Sequence, residues 1–303
     1  MTALLLLPAL ILDALFGEPR AIWDRLPHPA VLMGRLIAAL DRRFNNGEGR
    51  RLKGVLVMAG LALGAIALGL AIAALPFGPL WQVLIAAVLL AQRSLVQHVQ
   101  AVGDALRLSL GDGQRTVAMI VGRDTAVLDR SGVARSAIES AAENFSDGVI
   151  APAFWFLLGG LPGLLLYKIT NTADSMIGHL TPRHREFGWA AARFDDLLNL
   201  VPARLSAVLI ALSHGLTDPR AILRDAPLHR SPNAGWPEAA MAVVLDVAIA
   251  GPRSYHGKLT DYPWVWPEGR HDLGPDDIDR TVTALWRGWV AMLALVALVA
   301  VAL

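Results

Sequence analysis

The sequence predicts an all-α fold: a polytopic integral membrane helical bundle, with residues 1–303 forming a single membrane-embedded domain. Composition is the first reason, since 54% of the residues are hydrophobic and only 17% are charged, against roughly 25% charged in ordinary soluble domains. The mean hydropathy of +0.47 agrees. The second reason is a series of long uncharged runs, some of them long enough to cross a bilayer.

The first half of the chain contains the clearest membrane segments. Met1–Leu12 is apolar and lacks a basic region, so we interpret it as a retained, short membrane segment; a buried soluble helix is the alternative. Val55–Leu75 is 21 residues without a charge, enough to span about 30 Å of hydrocarbon. The turn-forming Pro76–Pro79 and the apolar run Leu80–Ala91 follow, and together these segments predict a helical hairpin.

The second half is less regular. Val149–Tyr167 is uncharged but is interrupted by Gly159–Gly163. It predicts either a simple span or two half-helices that meet as a re-entrant hairpin, and we favour the hairpin. Val201–Leu212 and Trp236–Ala250 are expected to be shorter apolar helices. Gly288–Leu303 is a final uncharged run of 16 residues, with tryptophans near its start as interface anchors.

Basic residues set the expected orientation. Eight lysines and arginines lie between the first segment and Val55, which by the positive-inside rule places this stretch in the cytoplasm. The hairpin then returns the chain to the same side. Gly251–Pro275 is expected to be an ordered cytoplasmic loop or lid. The expected cytoplasmic polar loops are residues 17–54, 92–148, 168–200 and 251–287.

Composition also excludes several functions. The formal net charge is +1 and the basic residues are spread out, so we expect no nucleic acid as a partner. The chain has no cysteine, which excludes disulfides, thiolate zinc sites and cysteine nucleophiles. The phosphate loop of nucleotide-binding enzymes, the serine nucleophile elbow and the dinucleotide fingerprint are absent too.

Polar side chains that bind metals and phosphates are concentrated in three short stretches. They are Glu139, Glu143, Asn144 and Asp147; then Asn171, Asp174 and Ser175; then Asp195, Asp196 and Asn199. Carboxylates near a bilayer are costly unless they face a partner, a cation or water. The three clusters therefore predict one shared polar site at the membrane, which indicates an enzyme or a transporter more than a passive anchor.

Spacing within the clusters refines this prediction. Glu139 and Glu143 share one face of a helix, and a solvated face paired with nearby arginines is the alternative. Asn171 and Asp174 are three residues apart and suit Mg²⁺, although helix capping would explain some of these residues. The third cluster repeats the pattern and could instead be a salt-bridged surface. A bound Mg²⁺ with nucleotide phosphates would satisfy all three clusters.

A fourth polar stretch, Ser231–Glu238, precedes the predicted helix that begins at Trp236. Asn233, the backbone N–H groups and Glu238 could contact a ligand. A simple helix start is the alternative, and the stretch alone does not decide between them.

These stretches together resemble the CobD/CbiB membrane proteins of cobalamin biosynthesis, which are cobinamide or adenosylcobinamide-phosphate synthases. The resemblance covers nearly the whole chain, and Gly251–Asp272 is its least similar part. The similar blocks are Gly17–Pro19, Leu26–Pro29, Glu139–Asn144, Asn171–Gly178, Ala192–Asn199 and Ser231–Glu238.

The resemblance implies ATP-dependent amide-bond formation by an acid–amine ligase. A propionate of adenosylcobyric acid would be joined to (R)-1-aminopropan-2-ol or its O-phosphate, giving adenosylcobinamide or its phosphate. ATP and Mg²⁺ are the implied cofactors, and the corrinoid, the amino alcohol, the lipid bilayer and other cobalamin-pathway enzymes are the implied partners. The expected location is the bacterial inner (cell) membrane, multi-pass, with the active site facing the cytoplasm.

The resemblance also implies four groups of site residues. The catalytic residues are Glu139, Glu143, Asp174 and Asp196, with Glu139 as the base for the attacking amine. The metal ligands are Glu143, Asn144, Asp147, Asp174, Asp195 and Asp196. The ATP-binding residues are Lys168, Asn171, Ser175, Arg193, Asn199 and Arg204. The residues that bind the corrinoid or the amino alcohol are Arg123, Asn233, Trp236 and Glu238.

Two other functions use similar residues. A Mg²⁺-dependent membrane prenyltransferase also binds a diphosphate with Asn and Asp clusters, but its Asn-Asp-x-x-Asp order is missing from this sequence. A corrinoid or cation transporter could use the carboxylates as a relay. It predicts polar residues near the centres of the spans, whereas the clusters fall at the edges of the predicted spans.

Overall fold

The structure, a computed structural model, describes residues 1–255 and 258–302, and helices dominate this part of the chain. The helices are α1 (Thr2–Phe16), α2 (Arg20–Trp23), α3 (Pro29–Phe44), α4 (Arg50–Ala73), α5 (Gly78–Leu89), α6 (Gln92–Leu108), α7 (Leu110–Val117), α8 (Arg130–Phe145), α9 (Ala151–Ile177), α10 (Trp189–Ser213), α11 (Arg220–Asp225), α12 (Gly235–Leu245) and α13 (Pro275–Ala302). A π-helical turn, Ser146–Ile150, joins α8 to α9.

Five helical segments of the described residues are long and apolar enough to cross a membrane. They are Arg50–Ala73, Gly78–Leu108, Arg130–Ile177, Trp189–Ser213 and Pro275–Ala302. This confirms the predicted class, a polytopic helical membrane protein. The N-terminal helix α1 is apolar but shorter than these five.

Several boundaries differ from the prediction. The predicted helix Trp236–Ala250 ends at Leu245, because Asp246 adopts a left-handed conformation with φ of 55° and terminates α12. The stretches expected as polar loops are largely helical, so that α6, α7 and α8 lie within 92–148. Two of these helices, α6 and α8, belong to the candidate spans Gly78–Leu108 and Arg130–Ile177, so much of this polar stretch lies within long helical segments and not in loops.

Short strands follow α12. They are β1 (Ile249–Ala250), β2 (Arg253–Tyr255), β3 (Lys258–Thr260) and β4 (Trp264–Val265). β1 pairs with β4 and β2 pairs with β3, both antiparallel. The predicted loop Gly251–Pro275 thus contains three of the four strands; its residues 256 and 257 lie outside the described residues, as does the end of the predicted final run at 303.

The chain divides into two compact units. The first comprises residues 1–91, 151–200 and 296–303, and the second comprises residues 92–150 and 201–295. The helices α10 and α13 each contribute residues to both units. The prediction of a single domain stays a prediction, because such units need not fold independently.

In the first unit, α9 folds back on itself. Gly160 has φ of 60° and ψ of −151°, which are not helical values and suit only glycine. A Cβ on Gly163 would lie 2.3 Å from the carbonyl oxygen of Trp155, and residues eight apart in a straight helix are about 12 Å apart. Ala151 and Tyr167 also share one buried cluster. The chain therefore reverses at Gly160, which confirms two half-helices over a straight span, and re-entry of this hairpin into the membrane stays a prediction.

The backbone of helix α4 comes very close to the point where α9 reverses direction. A Cβ on Gly69 would lie 2.5 Å from the Cα of Pro162, just after the turn in α9. Gly69 is buried, whereas Gly64 of the same helix has no atom within 4 Å of its Cβ position. Small residues let helix backbones approach each other in membrane proteins.

Gly69→Ala is expected to lower the free energy of unfolding by about 1–3 kcal/mol, because α4 must move away from Pro162. Gly64→Ala is the matched control and should be neutral or slightly stabilising, since alanine favours the helix. Thermal unfolding in detergent measures both. Equal midpoints for the two variants would mean that the close approach does not contribute to stability.

The segment between α9 and α10 is anchored by Asp41 of α3. Arg183 Nη2 donates to Asp41 Oδ2 at 2.6 Å, and Asn45 Nδ2 donates to Oδ1 at 2.8 Å. His184 Nε2 lies 3.5 Å from Oδ1. Burial acts to raise the pKa of Asp41, but the hydrogen bonds from Arg183 and Asn45 outweigh it, so the pKa is lowered from 3.8.

A lowered carboxyl pKa means that Asp41 stabilises the fold above pH 3.8 and that this stabilisation is lost as the pH falls through the pKa of the folded state. Asp41→Asn should therefore cost about 1 kcal/mol near neutral pH, and less as the pH approaches 3. Unfolding midpoints of the two proteins between pH 7 and pH 3 measure this. A difference that is constant with pH would contradict the assignment.

Candidate functional site

The second and third polar clusters meet in the first unit around Asp195, which is buried on α10. Asn171 Nδ2 donates to Asp195 Oδ1 at 3.2 Å, and Asn199 Nδ2 donates to Oδ2 at 3.0 Å. The hydroxyl of Tyr167 donates to Asn199 Oδ1 at 3.1 Å. Both carboxylate oxygens of Asp195 therefore accept hydrogen bonds from amides, and the network joins α9 to α10.

The local sequence produces this network through helical spacing. Tyr167, Asn171 and Asp174 are four and three residues apart on α9, so they lie on one face. Asp195 and Asn199 are four residues apart on α10. Trp155, from the other arm of α9, donates through Nε1 to the carbonyl of Leu198 at 3.1 Å, so both arms of the hairpin hold the same turn of α10.

Asp174 and Asp196 complete the cluster. Both are intermediate in burial, and the carboxylates of Asp174, Asp195 and Asp196 are close enough to repel one another. Arg193 Nη1 lies 3.4 Å from Asp196 Oδ2 in an exposed ion pair, which stabilises little. A Cβ on Gly178 would lie 1.9 Å from Asp174 Oδ1, so the glycine is required for the position of this carboxylate.

This arrangement fits a magnesium–phosphate ligand better than a bare ion. Among the residues described, no three His, Asp or Glu side chains form a ready metal cluster. Protein-bound Mg²⁺ commonly takes one or two carboxylates and completes its shell with water and substrate phosphates. Asp174 and Asp196 could supply two such carboxylates, whereas both oxygens of Asp195 already accept amide hydrogens. Direct metal ligation by Asp195 stays a prediction.

Two further residues of the predicted ATP group lie on the same helix, α9. The exposed hydroxyl of Ser175 donates to the carbonyl of Asn171 at 2.9 Å. Lys168 is intermediate in burial and follows Tyr167 directly. Their contact with ATP stays a prediction.

In the second unit, Glu139 of α8 is buried in an ion pair. Arg123 Nη2 lies 2.5 Å from Glu139 Oε2, and Arg123 Nη1 donates to Ser136 Oγ at 3.3 Å. The backbone N–H of Ala250, in β1, donates to Glu139 Oε1 at 2.7 Å. Both carboxylate oxygens are engaged, which favours a structural role for Glu139. Its prediction as the catalytic base is untested.

The rest of the first cluster lies at the end of α8. Glu143 and Asn144 are exposed, and Asn144 Nδ2 donates to the carbonyl of Ser140 at 2.9 Å. Asp147 lies in the π-helical turn that follows, and such turns often occur at functional sites. This cluster belongs to the second unit and the other two to the first, so the convergence of all three on one site stays a prediction.

The fourth polar stretch forms a second constellation in this unit. Arg204 Nη1 donates to Asn233 Oδ1 at 3.2 Å, and its guanidinium lies 4.6 Å from the ring centre of Trp236. Glu238 is buried, and its Oε1 is 3.7 Å from His229 Nε2. The sequence placed Arg204 in the ATP group, whereas the structure brings it to the residues predicted to bind the substrate. Arg204 of α10 thus contacts two residues of the predicted substrate group, and its own contact with ATP stays a prediction.

Sequence reasoning missed three residues that the structure includes in these networks: Tyr167, Ser136 and His229. Tyr167 had a usable signal, since it lies four residues before Asn171 at the end of an apolar run. Ser136 and His229 had none, because nothing in the local sequence indicates that they contact Arg123 and Glu238.

The described features define a helical membrane protein with buried polar networks in both of its units. The family model described as "CobD/Cbib protein" matches residues 6–285. The chain is 47% identical to the cobalamin biosynthesis protein CobD of Brucella anthropi, over 95% of this chain and 94% of the relative. It is 45% identical to that of Rhodobacter capsulatus, over 99% and 98%. No solved structure gives a significant match. The chain belongs to the CobD/CbiB family.

Removing one partner of the buried pair should be far more harmful than removing both. Glu139→Ala leaves the Arg123 guanidinium, itself only 11% exposed, without its carboxylate, at an expected cost of about 3–5 kcal/mol. Arg123→Ala should have a similar effect. The double variant should be more stable than the sum of the two losses predicts.

The measurement is a double-mutant cycle: the unfolding midpoints in detergent of wild type, the two single variants and the double variant are compared. A structural role also requires that surviving Glu139→Ala protein keeps turnover. Strict additivity of the two losses would contradict the ion pair.

Proposed function

We propose that this protein catalyses ATP-dependent amide-bond formation in cobalamin biosynthesis. The acid is a propionate side chain of adenosylcobyric acid, and the amine is (R)-1-aminopropan-2-ol or its O-phosphate. Family membership supports the pathway, as do the relatives that are named cobalamin biosynthesis proteins. The proposed chemistry depends on one observation. Asp174 and Asp196 lie beside Asp195, whose carboxylate accepts hydrogen bonds from two side-chain amides.

A carboxylate must be activated before an amine can attack it. ATP with Mg²⁺ would supply this activation: transfer of the γ-phosphoryl group to the propionate would give an acyl phosphate and ADP, and attack by the amine would then release phosphate. The ion would reduce the charge on the crowded oxygens. Asp174 and Asp196 would hold the ion, and Asn171 and Asp195 would keep the side chains of this face in place. Lys168 and Arg193 would face the phosphates.

The second constellation suits the organic substrates. The ring of Trp236 stacks against the guanidinium of Arg204, and the same guanidinium donates a hydrogen bond that orients the side-chain amide of Asn233. A corrinoid carries amides and a broad apolar ring, both of which such a surface can bind. Arg204 would then act on the substrate side as a positioning residue for Asn233. Glu143, which is exposed, is a better candidate than Glu139 for the base that receives the proton of the amine.

The direct test is a condensation assay. Purified protein is incubated with adenosylcobyric acid, ATP, Mg²⁺ and each amino alcohol in turn, and the products are analysed by mass. We expect the condensed product only when ATP and Mg²⁺ are both present. Corrinoid uptake into proteoliposomes without ATP hydrolysis, and without a condensed product, would favour a transporter instead.

Asp174→Ala and Asp196→Ala should each lower turnover by at least about 100-fold, because the charge that develops during phosphoryl transfer loses a ligand for its counter-ion. Asp218→Asn is a matched control, since Asp218 is an exposed aspartate that pairs with Arg220. All three proteins should insert into the membrane in normal amounts. Near-normal turnover in both alanine variants would reject the assignment of these aspartates.

A further inference from the structure

A basic cavity opens in the first unit where α4 begins. Its volume is about 430 Å³. It is lined by Arg50, Arg51, Pro182, Arg185, Glu186 and Trp189. None of these residues belongs to the predicted catalytic, metal or substrate groups, so the amide-forming reaction does not account for the cavity.

The charges in the cavity are not balanced. Three guanidinium groups and one carboxylate line it, a net charge of +2. Arg50 Nε donates to Glu186 Oε2 at 3.2 Å and uses that carboxylate. Arg51 lies over the ring of Trp189, with 4.0 Å from its guanidinium carbon to the ring centre. Within the described part of the chain, neither Arg51 nor Arg185 has an ion pair with a carboxylate.

Unpaired guanidinium groups on one cavity wall repel each other and favour an anion between them. Phosphate is the anion that fits best, because two of its oxygens can accept parallel hydrogen bonds from one planar guanidinium group. The loop that carries Arg185 is held in place, because its neighbour Arg183 is paired with Asp41 of α3. The guanidinium groups of Arg51 and Arg185 thus line an open cavity whose charge suits a phosphate group.

The location of the cavity favours a lipid phosphate. Arg50 and Arg51 are the first two residues of a segment that is long and apolar enough to cross the membrane. The next exposed side chains of α4 are apolar, with Leu52 64% and Leu56 63% exposed. Arginine and tryptophan at the end of a span mark the headgroup level, where anionic phospholipids attract basic residues.

We propose that this cavity binds the phosphodiester headgroup of an anionic phospholipid. Arg51 and Arg185 contact the phosphate, Trp189 packs beside it, and the acyl chains run along Leu52 and Leu56. The lipid site uses none of the residues assigned to the amide-forming reaction, so its test does not depend on that reaction.

The test compares lipids on delipidated, detergent-purified full-length protein. Phosphatidylglycerol, phosphatidylcholine and inorganic phosphate are titrated separately. Bound lipid is counted by native mass spectrometry, and the unfolding midpoint is followed in parallel. The variants are Arg51→Gln, Arg185→Gln and the double variant. Arg42→Gln is the matched control, because Arg42 is an exposed arginine in the last turn of α3 that does not line the cavity.

We expect wild type and Arg42→Gln to prefer phosphatidylglycerol over phosphatidylcholine. Each substitution in the cavity should reduce that preference about fivefold, the amount expected for one basic residue at an anionic surface. If the double variant does not fold, the two single variants decide. Equal binding of both lipids by wild type would overturn the proposal, as would an equal loss in Arg42→Gln. Equal stabilisation by inorganic phosphate alone would show a free-phosphate site and would overturn the lipid assignment.

Discussion

A carboxylate inside a helical membrane protein needs donors on both of its oxygens, and Asp195 has them in Asn171 and Asn199. Because Asn171 lies on α9 and Asp195 on α10, this pairing fixes the register between the two helices. Tyr167 extends the network to Asn199 and is itself fully buried. The half-buried Asp174 and Asp196 lie on the same two helices, beside this hydrogen-bonded network.

That register depends on the reversal of α9. With a straight helix, Ala151 and Tyr167 would be about 24 Å apart, yet they pack in one cluster with Leu198. The turn requires a glycine at Gly160 because of its positive φ. Helix α4 approaches this turn closely at Gly69. Close backbone approach of this kind is common where helices pack in membrane proteins, and it acts here together with buried clusters of large apolar side chains.

In the second unit, two glutamates of the same helix have different surroundings. Glu139 is buried against Arg123 and the N–H of Ala250, so it ties α8 to β1. Glu143, one turn later, is exposed. The two residues share a helix face and a residue type, and they differ only in which partners the fold brings to them.

The sequence by itself determined the class of protein, because uncharged runs, low charge content and turn-forming Pro76–Pro79 are local properties of the chain. It also determined which residues carry polar chemistry, and the contact of Asn171 with Asp195 confirms part of the predicted convergence. The tertiary structure alone decided that α12 ends at Leu245, that Arg204 joins Asn233, and that Glu139 is held by Arg123. The two contacts join residues on different elements, and the left-handed Asp246 accepts hydrogen bonds from Trp266 and Arg270 of a later segment. Helical spacing reports only which side chains share a face, not what packs against that face.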